Sequence, residues 1–180
     1  HQWWAHQEMS ADVQGGTMLT ESFAEYSSLM VMKEMCNNDD IKMKEFLKYD
    51  YERYLKGRSS EESKELPLYK VENQPYIHYG KGSVVLYALQ DYIGEDTVNA
   101  AMRSFLEAYR YKKPPYPTTL DFLKYLEPKI PDSLDYIVTD FFKEITLYDL
   151  RVSAAGYQKT ESGKYLVNMD VQARKMIADT

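Results

Sequence analysis

Cysteine is almost missing: Cys36 is the single one among 180 residues, which excludes a disulfide framework and a thiolate zinc site. Histidine is nearly as scarce, with only His1, His6 and His78. No apolar run approaches the roughly 20 residues that a membrane-spanning helix requires, and no signal-peptide pattern opens the chain. Clustered Lys/Arg is lacking too. The chain carries 22 Lys plus Arg against 28 Asp plus Glu, a net charge of −6. That balance argues against nucleic acid as a partner and suits a cationic group such as a peptide amine.

What is present is ordinary globular material, 44% hydrophobic and 28% charged, with enough length for one domain or one domain plus part of another. The exception is tyrosine, at 17 residues. Its ring packs while its hydroxyl stays wet, so it suits half-buried helix faces and the rims of clefts.

Read along the chain, residues 1–9 look like the tail of a helix and residues 12–16 like a turn. The stretch from Thr17 to Met35 contains no Gly or Pro and predicts a helix. Asn37–Asp40 then offers an N-cap. A second helix follows over about 40–56, with Met43, Phe46, Leu47, Tyr51 and Tyr54 at helical spacing and Gly57 as its stop. Residues 58–75 read as an ordered polar loop. Helices are expected over about 77–92, ending before Gly94, and over 95–112; Pro114, Pro115 and Pro117 then break the chain. Thr118 or Thr119 caps a short helix to about 127, and Asp132 or Ser133 caps one to about 145. Beyond Tyr148 the period changes to two. Leu150, Val152 and Ala154 alternate with polar residues; Glu161–Gly163 turns the chain; Tyr165, Val167, Met169, Val171 and Ala173 alternate again. The expectation is a mainly α lobe over 1–147 and a β-hairpin over 148–180.

The residue types that could carry chemistry are few. His1 and His6 are five apart, too far round a helix for the i, i+4 pair that grips a metal from one face. Glu21 and Glu25 stand one turn apart, a pattern that usually marks a solvated face. Tyr79 lies in the string Tyr76-Ile77-His78-Tyr79-Gly80-Lys81-Gly82-Ser83, whose glycines open a helix without bulk. The residues alone read as helical with a polar site.

Three strings together say more. His1-Gln2-Trp3-Trp4, then Thr20-Glu21-Ser22-Phe23-Ala24-Glu25-Tyr26, then Tyr76–Ser83 resemble the aminopeptidase-N-like family of gluzincin metallopeptidases. In that family the second histidine of H-E-x-x-H runs into Q-W-[FW], a distal glutamate follows in N-E-G-F-A-x-Y, and a tyrosine leads Y-x-K-G-[AS]. The resemblance implies the helical lobe of a thermolysin-like catalytic domain and hydrolysis of peptide bonds, from the N-terminus, by a zinc-activated water. It implies His1 as the second zinc-binding histidine, Glu21 as the third protein ligand and Tyr79 as the hydroxyl donor to the oxyanion. His78 is then structural and turned away from the cleft. Arg58, Glu65–Leu68 and Pro114–Pro117 resemble bacterial peptidase domains joined to ABC-transporter permease segments, which implies a membrane-tethered parent.

The sequence departs from that pattern in three ways. The first histidine and the general-base glutamate of H-E-x-x-H would lie before His1, as would the segment that binds the substrate amine. A chain lacking them is expected to hold zinc weakly and to be inactive alone. The spacing from His1 to Glu21 is one residue longer than usual, and Ser22 replaces the family's glycine. An extra residue in a helix would rotate Glu21 by about 100°, so it is assigned to the turn at 12–16; Glu25 is the alternative ligand if the register slips. A rival reading is a non-catalytic, peptidase-like helical domain serving as an interaction or transporter-accessory module. A further rival is a helical scaffold with chance likeness only.

Overall fold

The computed structural model describes residues 2–7, 11 and 14–178, with the backbone alone at residues 6 and 7. His1, together with Asp12 and Val13 of the expected turn, lies outside the described residues. The chain divides into a helical unit ending at Ile145 and a hairpin unit beginning at Thr146.

The helical unit opens with a π-helical segment, Gln2–Gln7. A second one, Met18–Ser22, runs directly into helix α1, Phe23–Met35. Asn37 and Asn38 both adopt positive φ, 52° and 57°, a conformation that a helix cannot propagate and that asparagine tolerates. Asp39 caps α2, Asp40–Ser60, by accepting hydrogen bonds from the Ile41 and Lys42 amides at 2.9 and 3.3 Å. The helix does not stop at Gly57, as its sequence suggests. That glycine serves close packing: a Cβ built there would lie 2.1 Å from the Tyr76 Cβ. The last turn continues to Ser60, where the Ser59 and Ser60 hydroxyls both donate to the Lys56 carbonyl.

Residues 61–75 form a strap with one 3-10 turn, Leu68–Lys70. It delivers the chain to a third π-helical segment, Tyr76–Lys81, continuous with α3, Gly82–Ile93. Gly94 ends α3, and α4 occupies Glu95–Tyr109. α4 stops three residues short of the sequence expectation, because Arg110 is extended and Tyr111 takes a φ of 58°. α5, Thr119–Leu126, starts where the Thr118 amide and hydroxyl both donate to Asp121 Oδ2, at 2.9 and 3.1 Å. The single helix expected over about 132–145 is a succession of shorter turns, with α6 confined to Tyr136–Val138 and a π-helical turn at Thr139–Lys143.

The core is aromatic. Phe23 at the head of α1 meets Trp4 and Phe122 edge-on at 4.9 Å each, and Phe105 at 6.3 Å. Leu19, Leu86 and Leu89 complete it, all fully buried. Tyr26 is buried beside them and donates its hydroxyl proton to Gln90 Oε1 at 2.9 Å, which satisfies both polar groups inside the core.

The hairpin unit pairs β1, Thr146–Lys159, with β2, Tyr165–Ile177. The register slips between Val152 and Ala154. Without that slip, period two would place Ala154 on the face of Leu150 and Val152, as the sequence suggests. The extra residue flips the alternation. Ala154 instead pairs with Asp170 on the other face, and the apolar face continues through Ala155–Met169 and Tyr157–Val167.

Candidate functional site

The two π-helical segments beside α1 and α3 pack against each other so tightly that small residues are required. The Ser22 hydroxyl donates to the His78 carbonyl at 2.6 Å. A Cβ on Gly82 would lie 2.0 Å from that hydroxyl oxygen, and one on Gly80 would lie 2.8 Å from the Asp50 carbonyl of α2. Side chains one residue away from these contacts are thereby brought together. Next to Ser22 stands Glu21; next to His78 and Gly80 stands Tyr79.

The Tyr79 phenol and the Glu21 carboxylate act on each other electrostatically. Burial and the nearby Glu21 carboxylate push the phenol's pKa up to about 12, while the Arg53 cation opposes them. The phenol therefore keeps its proton across the physiological range. Its ring is held on two sides. Arg53 lies over it, guanidinium carbon 4.4 Å from the ring centroid, and the His78 ring meets it edge-on at 4.5 Å. Glu21 also faces its neighbour, the Thr20 hydroxyl, at 3.5 Å.

His78 does not turn away from this cluster. It is buried, burial lowers its pKa, and the charge of Glu21 acts in the opposite sense. Its Nδ1 is buried without a hydrogen-bond partner. Tight packing of the π turn onto Ser22 accounts for its inward position.

Sequence reasoning missed the contribution of α2. Asp50, Arg53, Tyr54 and Gly57 follow at three- and four-residue spacing, so they share one face, and Asp50, Tyr54 and Gly57 pack against the Tyr76–Lys81 turn and the head of α3. A polar stripe at core spacing was the signal available. Asp50 is 2% exposed, and the Ser83 hydroxyl donates to its Oδ2 at 2.8 Å. Burial raises its pKa to about 6, helped by Glu25 and resisted by the Ser83 bond and Arg53.

A carboxyl with a raised folded pKa binds a proton that the unfolded chain has already released. Its stabilising contribution is therefore complete below the unfolded value of about 4 and is lost as pH rises through the folded one. Between pH 4 and 7, wild type is expected to lose about 2 kcal/mol relative to Asp50→Asn. Urea denaturation of both proteins at the two pH values checks this, and parallel pH profiles would contradict it.

The sequence model of the Peptidase family M1 domain matches residues 1–143. The chain belongs to peptidase family M1. No curated protein matches it. Membership covers the helical unit through the Thr139–Lys143 turn and includes all three strings that carry the resemblance. Among the described residues, no three His, Cys, Asp or Glu side chains gather in a group that could hold a metal ion. A carboxylate side chain such as that of Glu21 has the chemistry of one ligand in a metal site. The described residues do not complete such a site. Among them no helix is long and apolar enough to cross a membrane.

Proposed function

We propose that this chain forms one side of the catalytic cleft of a zinc-dependent, aminopeptidase-type M1 peptidase. Glu21 is a metal ligand in this reading, and Tyr79 donates a hydrogen bond to the reacting carbonyl oxygen. The observation that supports it most is the nearness of the Tyr79 phenol to the Glu21 carboxylate, which helps to hold the phenol's proton in place. His1 is the second zinc-binding histidine, the first would come from preceding sequence, and Glu21 is the third ligand. Residues 1–147 are then the C-terminal part of the catalytic domain, and residues 148–180 open a following β-domain. The permease-like strings make the full-length protein a membrane-tethered one.

Zinc, when bound, activates a water for attack on the peptide carbonyl. The chain's own part is to position and to donate. Tyr79 stays protonated, so its hydroxyl can serve an oxygen that becomes negative during the reaction. Arg53 and His78 hold the ring from two sides, which limits the reorganisation needed at that moment. Glu21 and Glu25 outnumber Arg53 among the charges that act on the phenol, an electrostatic balance that suits the amine of a peptide's first residue.

The test is hydrolysis of aminoacyl chromogenic substrates by the full-length protein. A chelator is expected to abolish turnover and added zinc to restore it, while residues 1–180 alone show none because the chain carries no H-E-x-x-H string to supply the general base. A full-length protein with neither zinc nor turnover would instead be a non-catalytic, peptidase-like interaction domain. Turnover by residues 1–180 alone would mean that the ligands are misassigned.

A further inference from the structure

A buried charge network lies on the far side of the turn that carries Tyr79. Glu65 of the strap is at its centre. Its Oε1 accepts from Lys81 Nζ at 3.1 Å and from the Tyr54 hydroxyl at 3.0 Å, and its Oε2 accepts from Arg58 Nη1 at 2.7 Å. Both Glu65 and Lys81 are 8% exposed. The strap itself is fastened there by Gln74, whose Nε2 donates to the Lys64 carbonyl at 2.8 Å and whose Oε1 accepts from the Leu66 amide at 3.0 Å.

Lys81 is the last residue of the π-helical segment Tyr76–Lys81, two positions beyond Tyr79. A π-helical turn is seldom stable by itself and persists where tertiary contacts impose it. Here the contacts come from two sides. Ser22 fastens the turn at His78 through its carbonyl, and Glu65 fastens it at Lys81. Tyr79 lies between these two anchors, and the tight approaches at Gly80 and Gly82 leave the turn no alternative seat on α2 or on Ser22. A buried ammonium also requires its counter-charge; without one it must lose its proton or leave the interior. Either outcome pulls at the backbone two residues from the phenol.

We propose that Glu65 is a positioning residue for Tyr79: by holding Lys81 inside the fold, it sets where the phenol stands relative to Glu21. The consequence for turnover rests on the peptidase reading above, but the placement of the ring does not. Arg58, the other cation on Glu65, sits in the last turn of α2 and is partly exposed. Its hydrogen bond goes to Glu65 and not to the turn, so its loss should leave Tyr79 in place.

The experiment uses the chain with ring-13C-labelled tyrosine, the Tyr79 resonance being assigned by its disappearance in Tyr79→Phe. Glu65→Gln and Lys81→Met are each expected to shift the Tyr79 resonance, and the double variant to shift it no further than either alone. Arg58→Gln is expected to lower the thermal midpoint and leave that resonance unmoved, and Tyr157 in the hairpin serves as the unchanged reference. Should a single variant fail to fold, the double variant, which leaves no unpaired charge at Glu65 or Lys81, is read in the same way. A folded Glu65→Gln or double variant with Tyr79 at its wild-type position would overturn the proposal, as would an equal shift in Arg58→Gln. In the full-length protein, Glu65→Gln is expected to lower kcat at least tenfold with KM and zinc content unchanged. Absence of turnover in the wild type would sink the peptidase reading and leave the resonance result standing.

Discussion

Tyr79→Phe in the full-length protein is expected to lower kcat by about 10²–10³-fold, the usual loss when one preorganised donor to a developing oxyanion is removed. Zinc content and KM should change little. The substitution deletes a hydroxyl and keeps the ring. Phenylalanine can still pack edge-on against His78 and accept the Arg53 cation on its face, contacts made at 4.5 and 4.4 Å in the wild type. The Glu21 carboxylate itself is untouched, so its oxygens stay available to a metal. A selective loss of kcat therefore separates a role in the transition state from one in binding. Wild-type turnover in this variant would remove Tyr79 from the mechanism.

The largest effect on stability is expected from Phe23→Ala. Phe23 is fully buried and touches Trp4, Phe105 and Phe122 in edge-on contacts between 4.9 and 6.3 Å. Removing an aromatic ring from such a site costs about 3–5 kcal/mol through lost transfer energy and an unfilled cavity. Against the 5–15 kcal/mol typical of a whole domain, that loss leaves the chain marginal. The damage also reaches the site, since Phe23 begins α1 two residues after Glu21. Urea denaturation of wild type and variant measures the difference; a loss below about 1 kcal/mol would show that the surrounding rings collapse into the space.

Where the sequence was legible, short-range physics decided the outcome. Asparagine and aspartate before α2, the Thr118–Asp121 cap of α5 and the glycine after α3 each act within four residues. Alternation identified the hairpin from β2, where Tyr165, Val167, Met169, Val171 and Ala173 fall on one face. It failed at Ala154 because a one-residue bulge leaves no mark in composition. Gly57 misled because its reason for being there lies in the Tyr76 ring, 19 positions away, and not in helix termination. Four of the described helical segments wind as π turns, at Gln2–Gln7, Met18–Ser22, Tyr76–Lys81 and Thr139–Lys143, a distinction that periodicity over five or six residues cannot draw.

At the site the same division holds. The strings around Glu21 and Tyr79 are readable, and the structure brings those two side chains within electrostatic reach of each other. Arg53, Asp50, Ser83 and Glu65 were not, because each matters only through contacts made 26 or more positions away, or across the strap. His78 shows the limit from the other side. A lone histidine beside a tyrosine reads as structural, yet its ring is buried against that tyrosine with an unpartnered Nδ1. The burial follows from a π turn packed on Ser22.

The role given to Glu21 is tested most directly by zinc stoichiometry. Full-length wild type and Glu21→Gln should be dialysed against metal-free buffer and analysed for metal at equal protein concentration. Wild type is expected to retain one zinc per chain and Glu21→Gln far less than one, because an amide is a poorer ligand than a carboxylate and two histidines alone leave the tetrahedral set short. Glu25→Gln, the alternative register, is expected to match wild type. Full zinc in Glu21→Gln together with loss in Glu25→Gln would move the ligand one turn along the helix and contradict the assignment on which the proposed site is built.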